Sequence, residues 1–134
     1  MRVLVMGCSQ QSHHLLSVLL EEGHKVTVLM DNPSCQQHLT RDLPVNLLFS
    51  TGSLMEDLQR GNIDDVDTFL ALSTNDVRNA MAAQIAIHIF SVSKVLCHVG
   101  DYSRYDAYKA MGLDVVSSTA TVSNAIIHSL AKEA

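Results

Sequence analysis

Short β-branched apolar runs alternate along the whole chain with longer segments of helical spacing, and this alternation constrains the fold more than any other feature. The runs at residues 3–6, 25–30, 45–49, 66–72, 94–99 and 113–116 read as strands. The segments at 10–22, 33–40, 53–60, 75–90, 103–111 and 120–132 read as helices. Local signals mark their ends. Gly23 and Gly112 stand where helices stop, Pro33 opens a first turn, and Ser53 with Glu56 has capping-box spacing. Strands that alternate with helices imply a parallel sheet covered on both faces, and strands apolar at nearly every position suit such burial. Right-handed crossovers then give an α/β fold, doubly wound and six-stranded, in the order 3-2-1-4-5-6.

No linker, repeat or low-complexity stretch interrupts the pattern, so residues 1–134 read as a single domain. At 47% hydrophobic residues the chain can bury a full core. A net charge of -5, with the nine basic residues scattered, argues against a nucleic-acid partner, because phosphate binding needs a basic face. No apolar run approaches the roughly 20 residues of a membrane span. The apolar start at 1–6 is too short for a signal-peptide core, so the expected location is the cytoplasm. Three cysteines at uneven spacing, Cys8, Cys35 and Cys97, favour free thiols. The seven histidines form no metal-ligand spacing, and no metal site is expected.

In such sheets, ligands bind beyond the carboxyl ends of the strands, near the switch between strands one and four. The first loop there reads Gly7-Cys8-Ser9-Gln10-Gln11-Ser12, where a dinucleotide-binding Rossmann domain carries G-x-G-x-x-G. Gly7 keeps the tight turn. Ser9 puts a Cβ and a hydroxyl where a diphosphate approaches the backbone, and Ser12 is a milder change where the helix lies on the sheet. The helix start still offers N–H groups to one phosphate. Two readings stay open, an anion site and a plain strand-to-helix connection. The second strand ends at Met30, where an acid normally accepts from a ribose; Asp31 follows, and Asp31 or Asn32 could serve instead.

Taken with these loops, the chain resembles the TrkA N-terminal domain family, also called RCK or KTN domains, from residue 2 to about 130. The resemblance is carried by residues 3–12, by 21–28 (EEGHKVTV), by 58–67 (LQRGNIDDVD), by 71–79 (ALSTNDVRN), by 111–117 (MGLDVVS) and by the last helix. It implies a regulatory subunit that binds NAD(H) or an adenine mononucleotide (AMP, ADP or ATP), forms a homodimer, and acts on a membrane-embedded potassium channel or transporter from the cytoplasmic side. No membrane insertion of its own and no enzymatic activity are implied. It also implies contacts from Ser50 and Thr51, which stand where the family has Gly-Asp after the third strand. Further contacts would come from Ser73, Thr74, Asp76 and Asn79 around the long helix's start, and from His98, which stands where an arginine is frequent. No catalytic residue is expected. The family's C-terminal ligand domain is expected to be absent, because the sequence stops at Ala134, and the pore is expected on another chain.

Two rival functions follow from the same residues. Y-x-x-x-K at Tyr105 and Lys109 has the spacing of a dehydrogenase acid–base pair and suggests a small NAD(P)-dependent oxidoreductase; an exposed amphipathic helix explains it more simply. The depleted loop suggests a dimerisation scaffold without nucleotide. Cys8, at a helix start, reads either as a redox-sensitive thiol or as a small buried residue. Met6, Met30, Met55, Met81 and Met111 read as core filler. The apolar surplus of residues 80–90 points to an interface. Restoring Ser9→Gly, Met30→Asp and His98→Arg is expected to restore dinucleotide affinity.

Overall fold

A computed structural model describes residues 1–8, 12–32 and 43–133, with the backbone alone at 133. Six strands form one sheet: β1 (Arg2–Met6), β2 (Lys25–Met30), β3 (Asn46–Phe49), β4 (Thr68–Ala71), β5 (Lys94–His98) and β6 (Val115–Val116). Every pairing is parallel, in the order β3-β2-β1-β4-β5-β6. This is the doubly wound order that the alternation predicts. Five helices lie among the described residues: α1 (Ser12–Glu21), α2 (Leu54–Arg60), α3 (Asp76–His88), α4 (Tyr105–Ala110) and α5 (Ser118–Glu133). The helix expected at 33–40 lies outside the described residues.

Side-chain alternation divides the core between the two faces of the sheet. Leu4, Met6, Leu29, Phe69 and Ala71 share one cluster with Leu58 of α2 and the alanines Ala80, Ala82, Ala83 and Ala86 of α3. Val3, Val5, Val28 and Met30 point to the other face and join Leu16 of α1. The alanines explain why α3 sits close over β4 and β5: a small side chain lets a helix backbone approach the sheet, and all four are buried.

Several boundaries differ from the sequence reading. Gly23 ends α1 as expected, with a φ of +87° that L side chains rarely adopt. Ser53 caps α2 by position only. Its side chain makes no capping hydrogen bond, so the capping box with Glu56 is not formed. The run 66–72 narrows to β4 because residues 63–65 coil into a 3-10 turn, and another 3-10 turn at 102–104 precedes α4. Met6 and Met30 are core filler, but Met81 and Met111 are each more than half exposed, which corrects their assignment to the core. Helical periodicity identifies a face and does not say what covers it.

Candidate functional site

Doubly wound sheets bind ligands in the crevice beyond their strand ends at the switch point, and here one glycine sets how closely the β1 and β4 loops approach. Gly7 has a φ of +84°, and its amide donates to the Leu29 carbonyl at 2.8 Å. A Cβ on Gly7 would stand 2.4 Å from the Cα of Ser73, so the β1 and β4 loops touch backbone to backbone here. Ser9, Gln10 and Gln11 lie outside the described residues. Ser12 is buried at the start of α1. Cys8 is buried and disulfide-bonded, which corrects the expectation of free thiols. Uneven spacing along the chain does not reveal which loops a sheet edge gathers. Cys97 is a free, buried thiol; desolvation, helped by the charge of Asp76, raises its pKa to about 11.

Two buried polar residues of α3 brace the crevice. The Asn79 side-chain oxygen accepts from the Ser73 amide at 2.9 Å, and its nitrogen donates to the carbonyls of Ser73 at 2.7 Å and His98 at 3.0 Å. This one fully buried amide ties the end of β4 to the end of β5. Asp76 does the same for the next loop. Its two oxygens accept from the amides of Gly100 and Asp101 at 2.8 and 3.0 Å, with Arg104 at 3.5 Å. Asn75 caps α3 by accepting from the Arg78 amide at 3.0 Å. Asp76 and Asn79, candidate nucleotide contacts by sequence, thus have their polar atoms engaged within the protein. Thr74 is exposed beside them. His98 is half-buried, with Nε2 at 3.4 Å from the Ser118 hydroxyl.

The β2 and β3 ends form the other half. Met30 is buried in the α1-side cluster, and its carbonyl accepts from the Ser50 amide at 2.9 Å. Met30→Asp would therefore place a carboxylate in the cluster that holds Val28 and Leu16. Asp31 and Asn32 lie just past the strand, the first partly buried and the second exposed.

Ser50 and Thr51 turn hydrogen-bonding groups toward Asp57, although Thr51 is exposed. The Ser50 hydroxyl donates to Asp57 at 2.6 Å, and the Thr51 amide and hydroxyl donate to it at 2.9 and 2.8 Å. Arg60 and Arg78 approach the same carboxylate at 3.3 and 3.5 Å. Burial pushes the Asp57 pKa up. The hydrogen bonds from Ser50 and Thr51, with the charge of Arg60, outweigh it and hold the group below the usual carboxylate range. Sequence reasoning missed Asp57 and Arg78. The available signal was an acid in the first turn of α2 and an arginine in the first turn of α3, each facing the Ser50 loop.

Tyr105 and Lys109 sit on the outside of α4, with the ammonium 5.3 Å from the ring centre. Tyr105 also stacks on Tyr102. No group of three potential metal ligands occurs among the described residues. No helix among them is long and apolar enough to cross a membrane.

With this geometry in view, the comparison with known families is decisive: the TrkA-N domain model matches residues 3–119. The chain belongs to the TrkA-N domain family. It is 26% identical over 118 residues to the Trk system potassium uptake protein TrkA of Streptomyces coelicolor, an alignment covering 88% of this chain and 53% of that protein. The chain spans about half the length of the curated relatives it matches. Among solved structures it is similar to the TrkA-N domain of the inner membrane protein ybaL from Escherichia coli, with a TM-score of 0.80 at 13% identity and 96% of each chain covered. It is also similar to a Kef CTD from Shewanella denitrificans in AMP-bound form, with a TM-score of 0.76 at 15% identity, covering 98% of this chain and 80% of that one. At these identities the structural likeness speaks for the fold.

Proposed function

We propose that residues 1–134 form one nucleotide-sensing regulatory module that acts on a membrane-embedded potassium channel or transporter from its cytoplasmic face. The observation that carries this reading is the crevice at the β1–β4 switch point of a TrkA-N domain, opened by Gly7 and braced by Asn79 and Asp76. Potassium transport enters through the TrkA relatives, and an adenine nucleotide through the AMP-bound Kef domain.

The ligand is NAD(H) or AMP, ADP or ATP, held weakly because the loop is degenerate. Ser9 narrows the diphosphate approach, Met30 offers a buried thioether where a ribose acceptor is usual, and His98 replaces a guanidinium. Gly7, Ser12, Asp31, Asn32, Thr74 and His98 rim the proposed site, to which Ser9, Gln10 and Gln11 are assigned from the sequence, while Ser50, Thr51, Ser73, Asp76 and Asn79 hold its shape. The module is not an enzyme: Tyr105 and Lys109 pack on each other outside the crevice.

Isothermal calorimetry with AMP, ADP, ATP, NAD, NADH and NADP tests this. Binding of an adenine nucleotide, with AMP at least matching NAD, is the expected result. No binding of any of them at millimolar concentration would leave the scaffold reading in its place.

The proposed homodimer has its own support. In α5, every side chain from 121 to 132 is exposed, and Val122, Ile126, Ile127 and Leu130 fall on a helical stripe. A groove of about 410 Å³ between α3 and α4, lined by Val77, Met81, Ile85, Tyr108 and Met111, is almost wholly apolar. An uncovered apolar helix and an unfilled apolar groove on one chain complement each other across two copies.

A further inference from the structure

We infer that Arg78 is the recognition group for a ribose 2′-phosphate, so that the nucleotide this crevice prefers is a 2′-phosphorylated adenosine. The inference rests on the reading of the crevice as a nucleotide site.

Position comes first. The Ser50 amide donates to the Met30 carbonyl, so the ends of β2 and β3 lie side by side. The Arg78 Nη2 stands 3.4 Å from the Ser50 hydroxyl, which places the guanidinium over that joint. The end of β2 is where the adenosine ribose rests in a doubly wound nucleotide site.

Charge comes second. An acid at the end of β2 accepts from a free 2′-hydroxyl and repels a 2′-phosphate, whereas a nearby arginine accommodates the phosphate. Here the strand ends in buried Met30, and the repelling acid is missing from that position. Asp31, one residue later, is partly buried just past the strand, so a 2′-phosphate here depends on Arg78 outweighing its charge. Asp57 carries one negative charge against the two positive charges of Arg60 and Arg78, so the cluster retains a surplus of +1.

Unused donors come third. Arg60 is pinned by the Phe49 carbonyl at 2.8 Å and by Asp57, so the surplus belongs to Arg78. Arg78 reaches Asp57 only at 3.5 Å, and Asp57 is already served by Ser50 and Thr51. The Arg78 Nη2 also donates to the Ser50 hydroxyl at 3.4 Å and its Nε is buried without a hydrogen-bond partner, so a phosphate would meet the exposed quarter of the side chain. A guanidinium offers five N–H groups in a fixed fork, the geometry that takes a phosphate through two of them.

Calorimetry on the full chain decides the matter with two pairs of probes: adenosine 2′,5′-bisphosphate against 5′-AMP, and NADP against NAD. The first of each pair should bind about tenfold more tightly or better, the size of one charge-assisted contact. Arg78→Met should bring both ratios to about one while 5′-AMP still binds, which also reports that the variant is folded. Arg60→Met should keep the preference. Equal binding of 5′-AMP and the bisphosphate by the unaltered chain would overturn this inference and leave the nucleotide reading standing. A preference that survives in Arg78→Met would overturn the role of Arg78. No binding of any probe would overturn both readings.

Discussion

Replacing Gly7 by alanine tests how far the crevice depends on one backbone contact. The residue sits at a φ of +84°, where a Cβ costs an L residue roughly 1–2 kcal/mol. The new methyl would also stand 2.4 Å from the Ser73 Cα and 2.6 Å from its nitrogen. Neither atom can rotate away, and Ser73 is held by both hydrogen-bonding ends of the buried Asn79 amide. Overpacking against such a fixed neighbour adds about 1–3 kcal/mol. Alanine restricts the unfolded chain and returns roughly 0.4–1 kcal/mol. The net destabilisation is therefore about 2–4 kcal/mol, and for a domain of this size it should lower Tm by roughly 8–15 °C. Urea denaturation followed by circular dichroism measures it, with the m-value checking that the unfolded state is unchanged. A loss below about 1 kcal/mol would refute the premise that β1 and β4 touch at Gly7.

Other perturbations reach the rest of the molecule. Asp57→Asn keeps the shape but removes the charge that Arg60 and Arg78 share, and should cost about 2–4 kcal/mol by urea denaturation. Because the folded-state pKa of Asp57 lies below its usual value, its contribution is complete above that value and is lost as pH falls through the lower one. Acid titration of the parent should show a stability decline below about pH 4 that Asp57→Asn lacks. Asn79→Leu leaves the Ser73 amide and carbonyl and the His98 carbonyl without their partner, and should cost about 2–4 kcal/mol, where a typical surface change costs under 0.5. Ile126→Glu with Leu130→Glu should turn the proposed dimer into a monomer in sedimentation without lowering the m-value. Sedimentation of the unaltered chain as a monomer at tens of micromolar would remove the dimer.

The order of the sheet was legible because period and hydrophobicity act locally. Residues 25–30 read Lys-Val-Thr-Val-Leu-Met, apolar at Val26 and at the three successive positions from Val28, and they form β2 with the bounds that pattern implies. Gly7 was legible too, since a strand that turns sharply into a helix needs a φ few other residues adopt. The polar bracing was not. Asp57 and Ser50 are seven residues apart and Arg78 lies 28 beyond Ser50, so no local pattern announces that they meet. Asp76 and Asn79 were legible as a family signature, but which atoms they bond follows only from where α3 is docked. The disulfide at Cys8 and the exposure of Met81 and Met111 escaped for the same reason: each depends on what the fold brings near.

The polar groups at the strand ends divide by how completely the protein uses them. Asp57, Asp76 and Asn79 are buried and have their hydrogen-bonding atoms engaged by neighbouring loops. Desolvated bonds of this kind resist rearrangement, because a loop that moves leaves a buried donor or acceptor without water to replace its partner. The crevice is consequently shaped before any ligand arrives. A preformed site loses little affinity to ordering, so even a few contacts count nearly in full. Arg78, with its Nε unpaired, and His98, with one long contact to Ser118, are the groups whose bonding is incomplete.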